Sequence, residues 1–148
     1  MKAILQRVTS SCVSINQSVT AEIGHGINIL LGVGQEDDES IIPKFAEKIV
    51  NLRIFADDEG KMNRSLLDVR GEVLLISQFT LYGDCKKGRR PSFIKAAEPS
   101  KGKALYQKLI DAIAAYGIIV KTGEFGGYMD VAIRNDGPTT IILDSDEL

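Results

Sequence analysis

Residues 71–84 read GEVLLISQFTLYGD. Val73, Leu74, Leu75 and Ile76 are consecutive apolar residues, so both faces of this segment need cover, as in a buried central strand. The run ends at Ser77-Gln78-Phe79-Thr80, which sets three polar side chains and an aromatic at a strand terminus. Upstream, AILQRVT, CVSIN, VTAEI and INILLGV read as strands of an antiparallel meander, divided at Ser10-Ser11, Asn16-Gln17 and a Gly24-His25-Gly26 turn. The period then changes in DDESIIPKFAEKIVNL, where Ile42, Phe45, Ala46 and Ile49 recur at helical spacing. Acidic residues before them suit the helix dipole, and Pro43 falls in the first turn, where a missing N–H costs little.

Downstream of these, a short RIF strand and an Asp57-Asp58-Glu59-Gly60 turn precede the central strand. A second helix is predicted over about residues 100–116, with Leu105, Leu109, Ile113 and Tyr116 on one face and Gly117 as its stop. IIVKT, YMDVAIRN and TTIILD read as three more strands. The expected class is therefore α+β, a mostly antiparallel or mixed sheet with two main helices, in a single domain over 1–148.

Composition narrows the chemistry. Apolar residues make up 44% and charged residues 26%, which suits a self-sufficient core and not a disordered chain. Cys12 and Cys85 show no paired spacing, so free thiols in a reducing compartment are expected. Lys2, Gln6 and Arg7 interrupt the first residues, so no signal-peptide core is read there, and no apolar run has membrane length; the expectation is a cytoplasmic protein.

The one histidine, His25, lies between glycines far from any nucleophile signature, which disfavours Ser-His-Asp or Cys-His catalysis. The sequence contains no phosphate-loop, dinucleotide or zinc motif, and its acidic groups lack the spacing of a calcium loop. No metal and no cofactor is implied. An enzyme built this way works with backbone dipoles, hydroxyls and groups of its substrate.

Three segments stand out, each with a plain structural alternative. In Ser77-Gln78-Phe79-Thr80 the hydroxyls are either site groups or ordinary β residues bonded locally. Asn135-Asp136-Gly137-Pro138-Thr139 has the composition of a turn between two apolar strands. Lys86, Lys87, Arg89 and Arg90 surround Gly88 in a compact basic loop followed by Pro91-Ser92-Phe93, suited to phosphates or simply to solvent.

Taken in order, these segments are similar to the D-aminoacyl-tRNA deacylase family from end to end: QRVTSSCVSI, GINILLGVG, AEKIVNLRIF, GKMNRSLLDVRGEVLLISQFTLYGD, KKGRRPSF and NDGPTT. The SQxT pattern (Ser77 to Thr80) and the NxGPxT pattern (Asn135 to Thr140) carry the resemblance. Thr139, Gly83 and Cys85 depart from the family's common valine, alanine and threonine.

The resemblance implies a small β-barrel-like domain that forms a homodimer, each active site being completed across the interface by Gly137-Pro138 of the partner subunit, held through a cis peptide. It implies hydrolysis of the ester of D-aminoacyl-tRNA, and of glycyl-tRNA, with the acceptor end as the bound partner. Ser77, Gln78, Phe79 and Thr80 would form the floor of the site, and Phe79 would lie near the terminal adenine.

By the same resemblance Arg7 would brace the Gly137-Pro138 segment, Asn135 would belong to it, and Phe125 and Met129 would wall the pocket; ordinary core packing is the alternative for the last two. Lys86, Lys87, Arg89 and Arg90 would hold tRNA phosphates. L-amino acids would be excluded by main chain, and the substrate's own 2′-OH would assist, with Thr80 positioning. A non-catalytic RNA-binding or partner-binding dimer, and a hydrolase of some other small D-amino acid ester or peptide, are the competing readings.

Overall fold

The computed structural model describes residues 1–148. Strand β1 (Lys2–Ile15) runs straight through Ser10-Ser11, where two strands were expected. Ser11 is buried, and its hydroxyl donates to the Ala132 carbonyl (2.9 Å), so a polar residue is satisfied inside the sheet and does not break it. Asn16 and Gln17, at φ 50° and 65°, form a two-residue reversal into β2 (Ser18–Ile23).

β3 (Gly26–Gly32) does not fold back on β2 as a meander would. Ser11 to Ile15 of β1 pair with β2 and Lys2 to Val8 pair with β3, so the second and third strands follow one another along the same edge of β1. Gly24-His25 is thus a bend and not a reversal.

β6 (Glu72–Ser77) lies parallel between β3 and β7 (Val120–Thr122), which makes the sheet mixed. Val73 and Leu75 join the core beneath the helices, with Leu5, Ile27 and Ile29. Leu74 and Ile76 point the other way, into a smaller core with Val8, Val13 and Ile23. That double burial is the physical reason for the unbroken apolar run. Lys121 Nζ of β7 donates to the Glu22 carbonyl of β2 (2.7 Å), so the ends of the sheet approach and a nearly closed barrel results.

Helix α1 (Ile42–Asn51) buries Ile42, Phe45, Ala46, Ile49 and Val50, and Pro43 sits in its first turn. Helix α3 (Pro99–Ala114) buries Leu105, Tyr106, Leu109 and Ile113 against the same face. Tyr116 lies past its end and is exposed, contrary to the predicted face; the N–H of Gly117 closes the helix on the Ala114 carbonyl (2.9 Å).

Two small elements lie between α1 and β6. β4 (Phe55–Ala56) and β5 (Met62–Arg64) form a hairpin, and α2 (Leu66–Val69) is a one-turn third helix closed by a Ser65/Asp68 capping box. In the hairpin turn, Asp57 accepts from Asn63 Nδ2 (2.7 Å) and from the Lys61 and Glu59 amides; these bonds hold its carboxyl below the ordinary range. The acidic triplet is a built turn.

β8 (Asp130–Asp144) covers the other edge of β1 along its length. YMDVAIRN and TTIILD are therefore parts of one strand and not two strands about a turn. The pairing steps from Gln6↔Thr140 to Val8↔Asn135, which leaves Arg7 alone opposite residues 136–139. Those four residues form an excursion from a continuous strand. No helix is long and apolar enough to cross a membrane.

Candidate active site

The end of β6 turns sharply. Gln78 N–H donates to the Leu31 carbonyl (2.7 Å), and the chain then enters a 3₁₀ turn, Phe79–Tyr82. The first residues of such a turn find no acceptor within it for their N–H groups. Beside this terminus opens a cavity of about 610 Å³, walled by Ser77, Gln78 and Phe79 together with Tyr106, Phe125 and Met129. Five of the expected site residues are brought together there. Phe79 is 59% exposed and meets Phe93 edge to face at 5.1 Å, so an aromatic pair stands at the mouth.

The cavity's chemistry is unusual in what lines it: no aspartate, glutamate, histidine, lysine, arginine or cysteine is among its residues. Its titratable groups are the phenols of Tyr106 and Tyr128. Burial pushes Tyr106 up to about 12, although a hydrogen bond with Thr122 works in the opposite sense. Its hydroxyl donates to the Leu75 carbonyl (2.7 Å) and its ring leans on Phe125 at 5.6 Å. A neutral phenol so placed fixes the wall and does not take up a proton near neutral pH. Thr80 lies next to the lining residues, with its Oγ1 accepting a hydrogen bond from Gln78 Nε2.

A second group of expected residues lies elsewhere in the chain. Gly137 and Pro138 form the excursion of β8, joined by a cis peptide, and neither they nor Arg7 nor Asn135 lines the cavity. Arg7 holds this excursion from β1. Its Nη1 donates to the Ile54 carbonyl (2.6 Å), while its Nε lies 3.1 Å from Asp136 Oδ2, at ion-pair distance without hydrogen-bond alignment. Gly137 sits at φ 116°, and a Cβ there would come within 2.9 Å of Arg7 Nη2 and Thr139 Oγ1. Glycine is required by the backbone and by the packing together.

The basic loop forms a third group. Asp84 and Ser92 bridge it at its base (2.8 and 2.9 Å), and Lys86, Lys87, Arg89 and Arg90 are all exposed with no carboxylate at ion-pair distance. The loop leads directly into Phe93 at the cavity, which connects four uncompensated cations to the mouth. His25 is remote from this site; its ring packs edge-on against Phe55 at 5.1 Å. Both cysteines are free thiols outside the cavity.

Tyr106 and Tyr128 were missed in the sequence. The face read from Leu105, Leu109 and Ile113 misses the adjoining stripe Gly102, Tyr106, Leu109 and Ile113, equally spaced for a helix, and that stripe would have found Tyr106.

The sequence profile of the family described as D-Tyr-tRNA(Tyr) deacylase matches residues 4–144. A protein of Fervidobacterium nodosum named D-aminoacyl-tRNA deacylase is 54% identical over 145 residues, covering 98% of this chain and 97% of its own. One of Clostridium kluyveri, with the same name, is 53% identical over 148 residues, covering 100% and 99%.

Among solved structures, one titled c-Myc DNA Unwinding Element Binding Protein superposes with a TM-score of 0.91 at 38% identity, over 97% of this chain and 98% of that one. A probable eukaryotic D-amino acid tRNA deacylase, at 18% identity and TM-score 0.81 over 96% and 97%, shares the fold. With a profile match across nearly its whole length and relatives above half identity, the chain belongs to the D-Tyr-tRNA(Tyr) deacylase family, a family of hydrolases.

Proposed function

We propose that the chain hydrolyses the ester bond of D-aminoacyl-tRNA and of glycyl-tRNA, releasing the amino acid and the tRNA, as a cytoplasmic homodimer. The observation that carries this reading beyond family membership is the cavity at the end of β6, which offers main chain, hydroxyls and aromatic rings but no carboxylate, imidazole, amine or thiol.

Ester hydrolysis needs a water nucleophile and stabilisation of the tetrahedral oxyanion. The N–H groups of Phe79 and Thr80, at the start of the 3₁₀ turn, supply the oxyanion donors. Activation of the water falls to the neighbouring 2′-OH of the terminal ribose, with Thr80 and Gln78 orienting it. Phe79, exposed at the mouth, stacks on the terminal adenine, and Lys86, Lys87, Arg89 and Arg90 take the phosphates behind it.

Selection for the D configuration is assigned to main chain. Gly137 and Pro138 of the partner subunit close the cavity and face the substrate's α-carbon, leaving room for a D side chain or for glycine's hydrogen. Two features support a second copy. The excursion is held rigidly outside its own chain's cavity, and β8 pairs on one edge only, leaving a long open edge with Ile142 73% exposed. Such an edge is a ready template for pairing with another chain, and the two-fold dimer is the commonest soluble oligomer.

The deciding experiment compares D-aminoacyl-tRNA, L-aminoacyl-tRNA and a free D-amino acid ester, alongside sedimentation of the protein. Preference for the D-aminoacyl-tRNA by a dimer is the expected result. Equal turnover of the free ester would make this a general D-ester hydrolase, and binding of tRNA without turnover would make it an RNA-binding protein.

A further inference from the structure

Tyr128 is 97% exposed, more than any other large apolar or aromatic residue on the surface, yet it belongs to the cavity's rim. Phe125 and Met129, its neighbours in the same segment, are partly shielded and wall the interior. The Tyr128 ring therefore stands outside the chamber at its mouth, free of the rings that fill it. Gly126, at φ 74°, sets the turn that carries it there. The same cavity is lined by the exposed Phe79, which is backed by Phe93, and Phe93 ends the basic loop.

An exposed ring on the rim of a cavity that a second exposed ring also lines, and into which a loop of four uncompensated cations leads, matches what single-stranded nucleic acid binds: aromatic faces for bases and positive charge for the backbone. We propose that Tyr128 is a positioning residue that stacks on the base of the nucleotide preceding the terminal adenosine. This deepens the reading of the cavity as a site for aminoacyl-tRNA and rests on it. A nucleoside ester seated in the chamber, with its base at Phe79, must send its 5′-phosphate out through the mouth. The next base then leaves the chamber at the rim, to which Tyr128 belongs. Every base has a π-face, so the contact adds affinity for the strand without selecting its sequence.

The test uses two esters of one D-amino acid, one on adenosine and one on the dinucleotide cytidylyl-adenosine, with D-aminoacyl-tRNA as the full substrate. Turnover by the unaltered protein reports on the proposed activity itself; only the ratio of the two esters' KM values reports on Tyr128. The unaltered protein should favour the dinucleotide ester in KM by about tenfold, the order of one base stack. Tyr128→Ala should abolish that preference with kcat little changed, and Tyr128→Phe should restore it, because the ring and not the hydroxyl is at work. The proposal is overturned if the preference survives in Tyr128→Ala, if both esters lose equally, or if Tyr128→Ala dissociates the protein in sedimentation, which would place the ring in a subunit interface.

Discussion

Gly137→Ala is the sharpest perturbation of the proposed main-chain filter, and its size can be worked from the structure. At φ 116° an L-residue is strained, at a cost of about 1–3 kcal/mol. The new Cβ would also lie 2.9 Å from Arg7 Nη2 and 3.1 Å from the Thr139 backbone nitrogen. Arg7 is not free to withdraw, since Nη1 is bonded to Ile54 and Nε is drawn to Asp136. The excursion itself has to move.

A loss near 2 kcal/mol corresponds to a fall in Tm of roughly 4–8 °C for a domain of this size. A displacement near 1 Å of a group facing the reacting centre costs about 100-fold in rate. Single-turnover deacylation of matched D-, L- and glycyl-tRNAs should therefore show D-aminoacyl and glycyl rates falling together by about two orders of magnitude, with L-aminoacyl-tRNA still intact. Unchanged rates in Gly137→Ala would refute the filter. So would good turnover of L-aminoacyl-tRNA after Phe125→Ala or Met129→Ala, because discrimination would then reside in side chains.

Thr80→Ala should lower kcat by less than about tenfold, since its hydroxyl orients and does not attack; a mass adduct showing an acyl ester at Thr80 in quenched reactions would contradict this. Neutralising Lys86, Lys87, Arg89 and Arg90 together should weaken tRNA binding and reduce the slope of log Kd against log salt by up to about 3, if each cation displaces a counterion from single-stranded backbone; an unchanged slope returns the loop to solvent. Tyr106, whose phenol is pushed by burial up to about 12, gives an alkaline signature. Its folded pKa lies above the unfolded value near 10, so its contribution is complete below about pH 10 and is lost between about pH 10 and 12. Tyr106→Phe should cost about 1 kcal/mol at pH 7 through the lost bond to Leu75 and flatten the alkaline fall seen in urea melts. Part of that fall should remain, because burial and Asp37 raise Tyr82 as well.

How much of this was legible in the sequence depended on whether the deciding interaction was local. Val73 to Ile76 announced a strand covered on both faces, and the helix-facing and barrel cores divide those residues alternately. The faces of α1 and most of α3 followed from period alone. The continuity of β1 through Ser10-Ser11 did not, because the bond that makes a buried serine acceptable comes from Ala132, more than a hundred residues away. Asn135 to Thr139 has the same local chemistry whether a chain reverses or bulges, and only its register against β1 decides between them. The one-turn helix had a local signal, Ser65 followed by Asp68, that the strand pattern around it obscured. At the site, Ser77 to Thr80 could be seen as a polar strand end, but the aromatic wall from Tyr106 and Phe93 belongs to distant segments.

The position of Arg7 would make the proposed main-chain filter dependable in so small a protein. β1 is the strand with which β2, β3 and β8 all pair, so a side chain rooted on it is anchored in the most extensively paired strand of the sheet. Burying a guanidinium is costly unless it is bonded and paired; Arg7 donates one hydrogen bond to Ile54 from the segment after α1 and is paired by charge, without a hydrogen bond at Nε, with Asp136 of the excursion itself. The same contacts that offset its desolvation therefore fix Gly137 and Pro138 relative to the core. In the proposed filter a carbonyl held this way would exclude by its place and not by its charge, and no side chain on its surface could be trimmed to relax it. Chirality would then be read by main chain anchored on the most extensively paired strand, while the chemistry is left to the substrate, a division that suits a cavity whose walls carry no carboxylate, imidazole, amine or thiol.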